Sequence, residues 1–284
     1  SYEADLFGRV RNTVANAAAS EAQAGANVEN FRLLLAAQVA TTWYNLRETD
    51  AEIAVVQEGL ALQRKALDFV TSRHQDGVAS GLDLAQQQAL VDSTATQAEL
   101  LTKQRAQYEH ALATLVGTPA PAFHIDPIPL QGTAPQIPVA LPSDVIERRP
   151  DVAAAERGAA AANAQVGVAR AAFFPSVMLN GGAGWESRDL ALLFSAPTLL
   201  WSFGTQIAQT VFDAGRTRAR VDFANAAYQG AIANYRQTVL GALQEVEDGL
   251  AGLQSLDRAA SQARHAVESA RKVYDLSLIH ISEP

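Results

Sequence analysis

The chain has 284 residues, enough for one large domain or two ordinary ones, and 48% of them are hydrophobic while only 7% are aromatic. Its formal net charge of -8 argues against sequence-independent nucleic-acid binding, which needs clustered Lys and Arg. It has no cysteine, which excludes disulfides, thiol chemistry and thiolate metal sites.

The apolar content is therefore carried by small residues, chiefly alanine. Alanine has the best helix propensity and lets helices approach closely, a profile that suits long packed helices better than a globular enzyme core. No run of 18 or more apolar residues occurs, so no transmembrane helix is encoded. The first residues, Ser1-Tyr2-Glu3-Ala4-Asp5, carry neither a basic n-region nor an apolar h-region. That leaves two readings: a soluble cytosolic protein, or a chain that starts inside a longer one.

From Val10 to Val116 the pattern predicts helix with a break near Gly77. Ile53, Val56, Leu60, Leu67 and Val70 fall on the a and d positions of a heptad, with Gln63 as the exception. Leu101, Tyr108 and Leu115 are seven apart, and Leu112 fills the same stripe. The segment Asp76-Gly77-Val78-Ala79-Ser80-Gly81 supplies Gly for a stop and Ser80 as the next N-cap, with Asp83 at N3 near the positive helix end. Two arms of a long antiparallel hairpin follow, with the tip at Gly77, Val78, Ala79 and Ser80. Residues 117–142 hold seven of the eleven prolines and read as an extended linker. A new helix is expected from Pro150, a residue suited to a first helical position, with Asp151 favouring its N-terminal dipole.

At Pro175 the period changes from helix to strand. Val177, Leu179, Gly181, Ala183 and Trp185 share one face, and Ser176, Met178, Asn180, Gly182 and Gly184 the other. A second strand is expected over about 201–212, with Phe203, Ile207 and Val211 against Gly204, Gln206, Ala208 and Thr210. Such strands suit either a membrane β-barrel with a small, polar lumen face or a soluble hairpin docked on helices. Helix is expected again from Thr217 to about Leu276.

The chain also repeats itself. Gly8-Arg9-Val10-Arg11 and Gly215-Arg216-Thr217-Arg218 are 207 residues apart, and each leads into a long helix. Asn30-Phe31-Arg32 matches Asn234-Tyr235-Arg236 at a spacing of 204, and Arg64-Lys65-Ala66-Leu67-Asp68 matches Arg271-Lys272-Val273-Tyr274-Asp275 at 207 again. One tandem duplication of strand, helix and helical hairpin explains all three.

These segments resemble the TolC/OprM-type outer-membrane factors of tripartite efflux pumps, in their NodT-like lipoprotein branch. The most specific piece runs from Leu141 through Arg148-Arg149-Pro150-Asp151 to Glu156. Phe174-Pro175-Ser176-Val177, Val211-Phe212-Asp213-Ala214-Gly215-Arg216, Ala242 to Asp248 and Asp5-Leu6-Phe7-Gly8-Arg9 add to it. The resemblance implies a mainly α fold with a few β-strands. It comprises long antiparallel hairpins of an α-barrel, strands of a transmembrane β-barrel, and a tandem structural repeat. It also implies a homotrimer in the outer membrane that extends into the periplasm and touches outer-membrane lipid. A periplasmic adaptor and an inner-membrane transporter are the implied partners, with no nucleic acid and no cofactor. The division expected is a first repeat over 1–116, the linker over 117–142 and an incomplete second repeat over 143–276. The tail 277–284 departs from the family pattern and is expected to be non-native.

The function expected is passive export through a duct; the competing reading is a non-transporting periplasmic coiled-coil scaffold or adaptor. The tip residues Gly77, Val78, Ala79 and Ser80 are expected to meet the adaptor, and Asp83 either lines a tunnel entrance or merely caps its helix. Gly8, Arg9, Gly215 and Arg216 are expected to be structural residues of the strand-to-helix junctions, the arginines pairing with carboxylates such as Asp5 and Asp213 or meeting lipid head groups. Arg148, Arg149 and Asp151 are also read as structural. His74, His110, His124, His265 and His280 are scattered without metal-ligand spacing, and no catalytic motif is present, so no enzyme is expected.

Overall fold

A computed structural model describes residues 1–128, 146–186 and 199–282. The segments 129–145, with the rest of the expected linker, and 187–198, the expected inter-strand loop, lie outside the described residues. The chain forms two compact units, one of residues 1–30 with 139–284 and one of residues 31–138.

The second unit is a helical hairpin. Helix α1 spans Arg9–Gln75 and helix α2 spans Gly81–Val116. Positions 53, 56, 60, 63, 67 and 70 are buried or half-buried, while Val55, Leu62 and Phe69 on the outer side are exposed. Leu101 and Leu112 are buried on α2, with Tyr108 and Leu115 half-buried beside them. The apolar heptads thus form the seam. Gln63 interrupts it: Gln87 Nε2 donates to the Gln63 main-chain oxygen at 3.3 Å, but the Gln63 side-chain oxygen is buried without a hydrogen-bond partner. At the end of α2, Gly117 adopts a left-handed φ of 77°, and the Gly117 and Thr118 amides donate to Thr114 and Ala113. A short 3-10 turn, Ala120–Ala122, follows.

The first unit layers the start of α1, helix α3 (Pro150–Ala171) and helix α4 (Arg216–Ser282), and carries a sheet. Helix α3 buries Val152, Ala154, Ala159, Ala161, Ala164, Val166 and Ala171. Their small size brings the helices close enough for the Asn16 side chain to donate 2.8 Å to the Ala161 carbonyl. At Gly167 a Cβ would lie 2.5 Å from the Asn12 side chain, so the glycine is a notch that admits Asn12. Helix α4 runs on through Ser282, past the expected end near Leu276.

Strands β1 (Tyr2–Ala4), β2 (Ser176–Trp185) and β3 (Leu199–Ala208) form an antiparallel sheet in that order. The third strand is displaced from the expected 201–212. Its last partner, Ser176, is the first residue of β2, and the preceding Pro175 has no N–H to extend the ladder, so Gln209 to Phe212 leave the sheet.

Candidate functional site

The register of the sheet aligns like with like at eight of its ten β2–β3 pairs, the exceptions being Leu179 with Thr205 and Gly184 with Leu200. Val177, Gly181, Ala183 and Trp185 face Ile207, Phe203, Trp201 and Leu199, and Tyr2 and Ala4 of β1 pair with Leu179 and Val177 on the same side. Ser176, Met178, Asn180 and Gly182 pair with Ala208, Gln206, Gly204 and Ser202 on the other. The apolar face lies open: Trp201 is 78% exposed, and Tyr2, Trp185, Phe203 and Ile207 are exposed beside it. Aromatic and branched residues gather on one side and mostly small or polar residues on the other, with Met178 and Leu200 among them, and β3 is exposed on both faces; such a division suits a barrel wall between lipid and lumen. Among the described residues the outer edges of β1 and β3 have no partner strand, and hydrocarbon would leave such edges unsatisfied.

The two junctions share a device. Gly8 has φ 81° and Gly215 φ 87°, each immediately before a 67-residue helix. That left-handed backbone suits glycine and turns the chain from the sheet into the helix. Each helix start is closed by an aspartate. Asp5 accepts from the Val10 and Arg11 amides at 3.0 and 2.9 Å; Asp213 accepts from the Gly215 and Thr217 amides at 3.0 and 2.8 Å. The hydroxyl and amide of Thr217, with the amide of Gly215, outweigh burial and hold Asp213 below the ordinary carboxylate range.

The expected Arg9–Asp5 and Arg216–Asp213 pairs are not the ones found. Asp5 is taken up by the helix start and by Arg11 Nε at 3.0 Å. Arg9 instead forks onto Glu3 of β1, with Nε 2.7 Å from Oε1 and Nη2 on Oε2. Asp213 is occupied by Thr217. Arg9 and Arg216 do share one feature: with Arg220 they line an apolar groove of about 800 Å³ between α1, α3 and α4, beside Val168 and Phe223. Phe7 stacks on Phe174 at 4.7 Å, joining the first junction to the end of α3.

The motif around Arg149 also resolves into structure. Its guanidinium contacts Asp151 at 2.7 and 3.1 Å and Glu245 of α4 at 2.7 Å. The Leu141–Glu156 and Ala242–Asp248 segments therefore meet in the Arg149–Glu245 ion pair. The bonds to both carboxylates push the Arg149 pKa up, against the opposing effect of burial.

At the hairpin tip the chain reverses between Gln75 and Gly81. Gly77 has φ 77°, and its amide donates to His74; the Val78 and Ala79 amides donate to the Arg73 carbonyl at 2.8 and 3.1 Å. His74 Nδ1 donates to the Ala79 carbonyl at 2.9 Å. Ser80 and Asp83 form a capping box: Asp83 N donates to Ser80 Oγ at 3.1 Å, and Asp83 Oδ2 accepts from Ser80 N and Oγ at 3.0 and 2.8 Å. Those bonds hold the Asp83 carboxyl below its usual range. Asp83 is thus a cap and, at neutral pH, a fixed exposed negative charge. Val78 is 64% exposed and is the apolar side chain the turn presents.

Among the described residues, no group of three or more His, Cys, Asp or Glu could hold a metal ion, and no helix is long and apolar enough to cross a membrane.

The family of outer membrane efflux proteins matches residues 1–118 and 141–281. This chain belongs to that family. Among efflux proteins of the family, it is 35% identical over 282 residues to the toluene efflux pump outer membrane protein TtgF of Pseudomonas putida, covering 98% of this chain and 58% of TtgF. It is 32% identical to the cation efflux system protein CusC of Escherichia coli, over 96% of this chain and 61% of CusC. The crystal structure of a membrane protein from Pseudomonas aeruginosa superposes with a TM-score of 0.90 at 31% identity, over 99% of this chain and 66% of that one. The chain spans a little under three fifths of the length of TtgF. Its helices and small antiparallel sheet have the architecture of these efflux proteins.

Proposed function

We propose that the chain is part of an outer-membrane export duct with no enzymatic step, through which small molecules pass from the periplasm to the outside. The observation that carries this reading is the sheet: an aromatic, aliphatic face left exposed, a small or polar face behind it, and two edges that need further strands. Closure by the rest of the protein and by two further copies, as a homotrimer, meets that need without a transmembrane helix. Trp185 and Trp201 then stand as interfacial aromatics, and Arg216 meets lipid head groups. The helical hairpins belong to the periplasmic part of the duct. Toluene and cations in the names of two relatives point to small solutes of very different chemistry, which suits a wide polar passage better than a fitted pocket.

In the same reading, Gly77, Val78, Ala79 and Ser80 form the contact with a periplasmic adaptor, which links the duct to an inner-membrane transporter. Asp83 adds a negative ring near that entrance, favouring cations. Gly77 and Ser80 shape the turn, and Val78 makes the apolar contact. The test is the full-length gene product, purified in detergent and placed in a planar bilayer. A trimer with discrete conductance steps is expected; a water-soluble, non-conducting monomer would refute the proposal. Cysteine at Val78 should crosslink to the adaptor in cells and cysteine at the outward Val55 should not. Cation selectivity should fall in an Asp83→Asn trimer.

A further inference from the structure

Among the described residues, the most heavily charged buried site lies within residues 31–138, away from the tip. The Asp50 side chain of α1 is 1% exposed, and Arg105 and Glu109 of α2 are 11% each. Arg105 sits between the two carboxylates, with Nε 2.7 Å from Asp50 Oδ1 and Nη1 2.9 Å from Glu109 Oε2. Arg47 adds a second cation, 3.0 Å from Asp50 Oδ2. Burying this much charge is costly unless every lone pair and proton finds a partner. Two helices pressed together would need only one such pair.

The remaining partners come from the segment after the 3-10 turn, and nearly all are main-chain atoms. Glu109 Oε1 accepts from the Ile125 amide at 2.7 Å, and Arg105 Nη2 donates to the Ile125 carbonyl at 2.5 Å. Asp50 Oδ2 accepts from the Ile128 amide at 3.3 Å. Arg47 Nη1 donates to the carbonyls of Asp126 at 2.8 Å and Ile128 at 3.4 Å. Pro127, which has no N–H, falls where no amide is requested. Among the described residues, one strap side chain joins the set, that of the exposed His124, with Nδ1 2.9 Å from Glu109 Oε1.

We propose that residues 123–128 are a strap, latched onto the hairpin by Asp50, Arg105 and Glu109 through its main chain, and that this strap opens as a unit of its own while the helical seam stays closed. The seam is held by apolar burial along α1 and α2, whereas the strap is held by charge. Its energetics are therefore separable from those of the seam. The charged groups that face one another are Arg47 and Asp50 of α1, Arg105 and Glu109 of α2, and His124 and Asp126 of the strap itself. Glu109 is pushed up by burial, but the Ile125 amide, Arg105 and His124 together leave it below its ordinary value. A depressed carboxylate stabilises the latched state above the ordinary glutamate pKa of about 4.3, and that contribution fades as pH falls through the lower folded value. Acid should open the strap.

Hydrogen exchange of the 284-residue chain tests this. In Glu109→Gln at pH 7, the Ile125 and Ile128 amides, which the latch holds, should exchange about tenfold faster or more, because a hydrogen bond to a charged acceptor has become one to a neutral amide. The seam amides at 53–70 and 98–112 should keep their wild-type protection. Strap and seam amides accelerating together, or neither changing, would overturn the proposal. If Glu109→Gln does not fold, wild-type chain at pH 2.5 and pH 7, corrected for intrinsic exchange, reads the same amides. Strap protection that persists unchanged at pH 2.5 would then be decisive against it.

Discussion

Leu60 on α1 and Val267 on α4 occupy the same place in the duplicated pattern, 207 residues apart, yet their surroundings are opposite. Leu60 is 9% exposed in the seam with α2. Val267 is 53% exposed, in a run of heptad positions (Leu253, Leu256, Ala260, Ala263, Ala270) that are also exposed. The helices have the same length, 67 residues, and the same left-handed glycine before them. A periodic apolar stripe is thus a core on one helix and a surface on the other. The pattern makes a helix face ready to be covered, and only a partner covers it.

The sharpest test of this contrast is truncation at the two places. Leu60→Ala should destabilise the hairpin by about 2–3 kcal/mol, from lost transfer energy and the cavity left in the seam. Val267→Ala should stay within about 0.5 kcal/mol. Chemical denaturation followed by circular dichroism measures both, and equal losses would show that α4 is already covered in solution. Glycines offer a second, smaller contrast. Gly167→Ala drives a methyl into Asn12 and should cost about 1–3 kcal/mol. Gly241→Ala on α4 meets nothing within 4 Å and should gain up to about 1 kcal/mol from helix propensity. Gln63→Leu should stabilise the hairpin by roughly 1 kcal/mol, because it removes a buried oxygen without a partner from the seam.

The helix caps give the weakest effect. Asp83 and Asp213 both have depressed carboxyl pKa values, from Ser80 and from Thr217 respectively. Their contribution is complete above the ordinary aspartate pKa of about 3.9 and is lost as pH falls through the folded values. A melting temperature recorded from pH 7 to pH 3 should therefore fall only at the acid end, and less in Asp83→Asn and Asp213→Asn than in the parent. Asp83→Asn and Asp213→Asn chains that lose as much melting temperature as the parent at the acid end would remove the caps from the stability of the chain.

Much of this was legible in the residues themselves. Heptad spacing located the seam from Ile53 to Val70, strand alternation gave the two faces of β2, and Ser80 with Asp83 announced a capping box. What escaped was long-range and charged. Arg105 and Glu109 are four apart on α2 and read as an ordinary solvated helix pair; nothing near them in sequence points to Asp50, 55 residues earlier, or to the main chain of Ile125. Arg9 pairs with a carboxylate, as its junction position suggests, but with Glu3 on the neighbouring strand, because the nearest aspartate, Asp5, is taken up by helix amides. The third strand was misplaced because alternation continues to Val211, whereas pairing stops where Pro175 removes the donor. A period records which faces agree; it does not record where the partner ends.

The latch on residues 125–128 has an evolutionary corollary. Because Asp50, Arg105 and Glu109 grip amides and carbonyls that almost every residue type supplies, substitutions can accumulate along the strap without loosening it. Selection would register at three charged positions on the helices and at only one kind of change in the strap, a new proline at Ile125 or Ile128. Related chains should therefore preserve the grip while the gripped segment drifts, so comparing strap sequences alone would miss it.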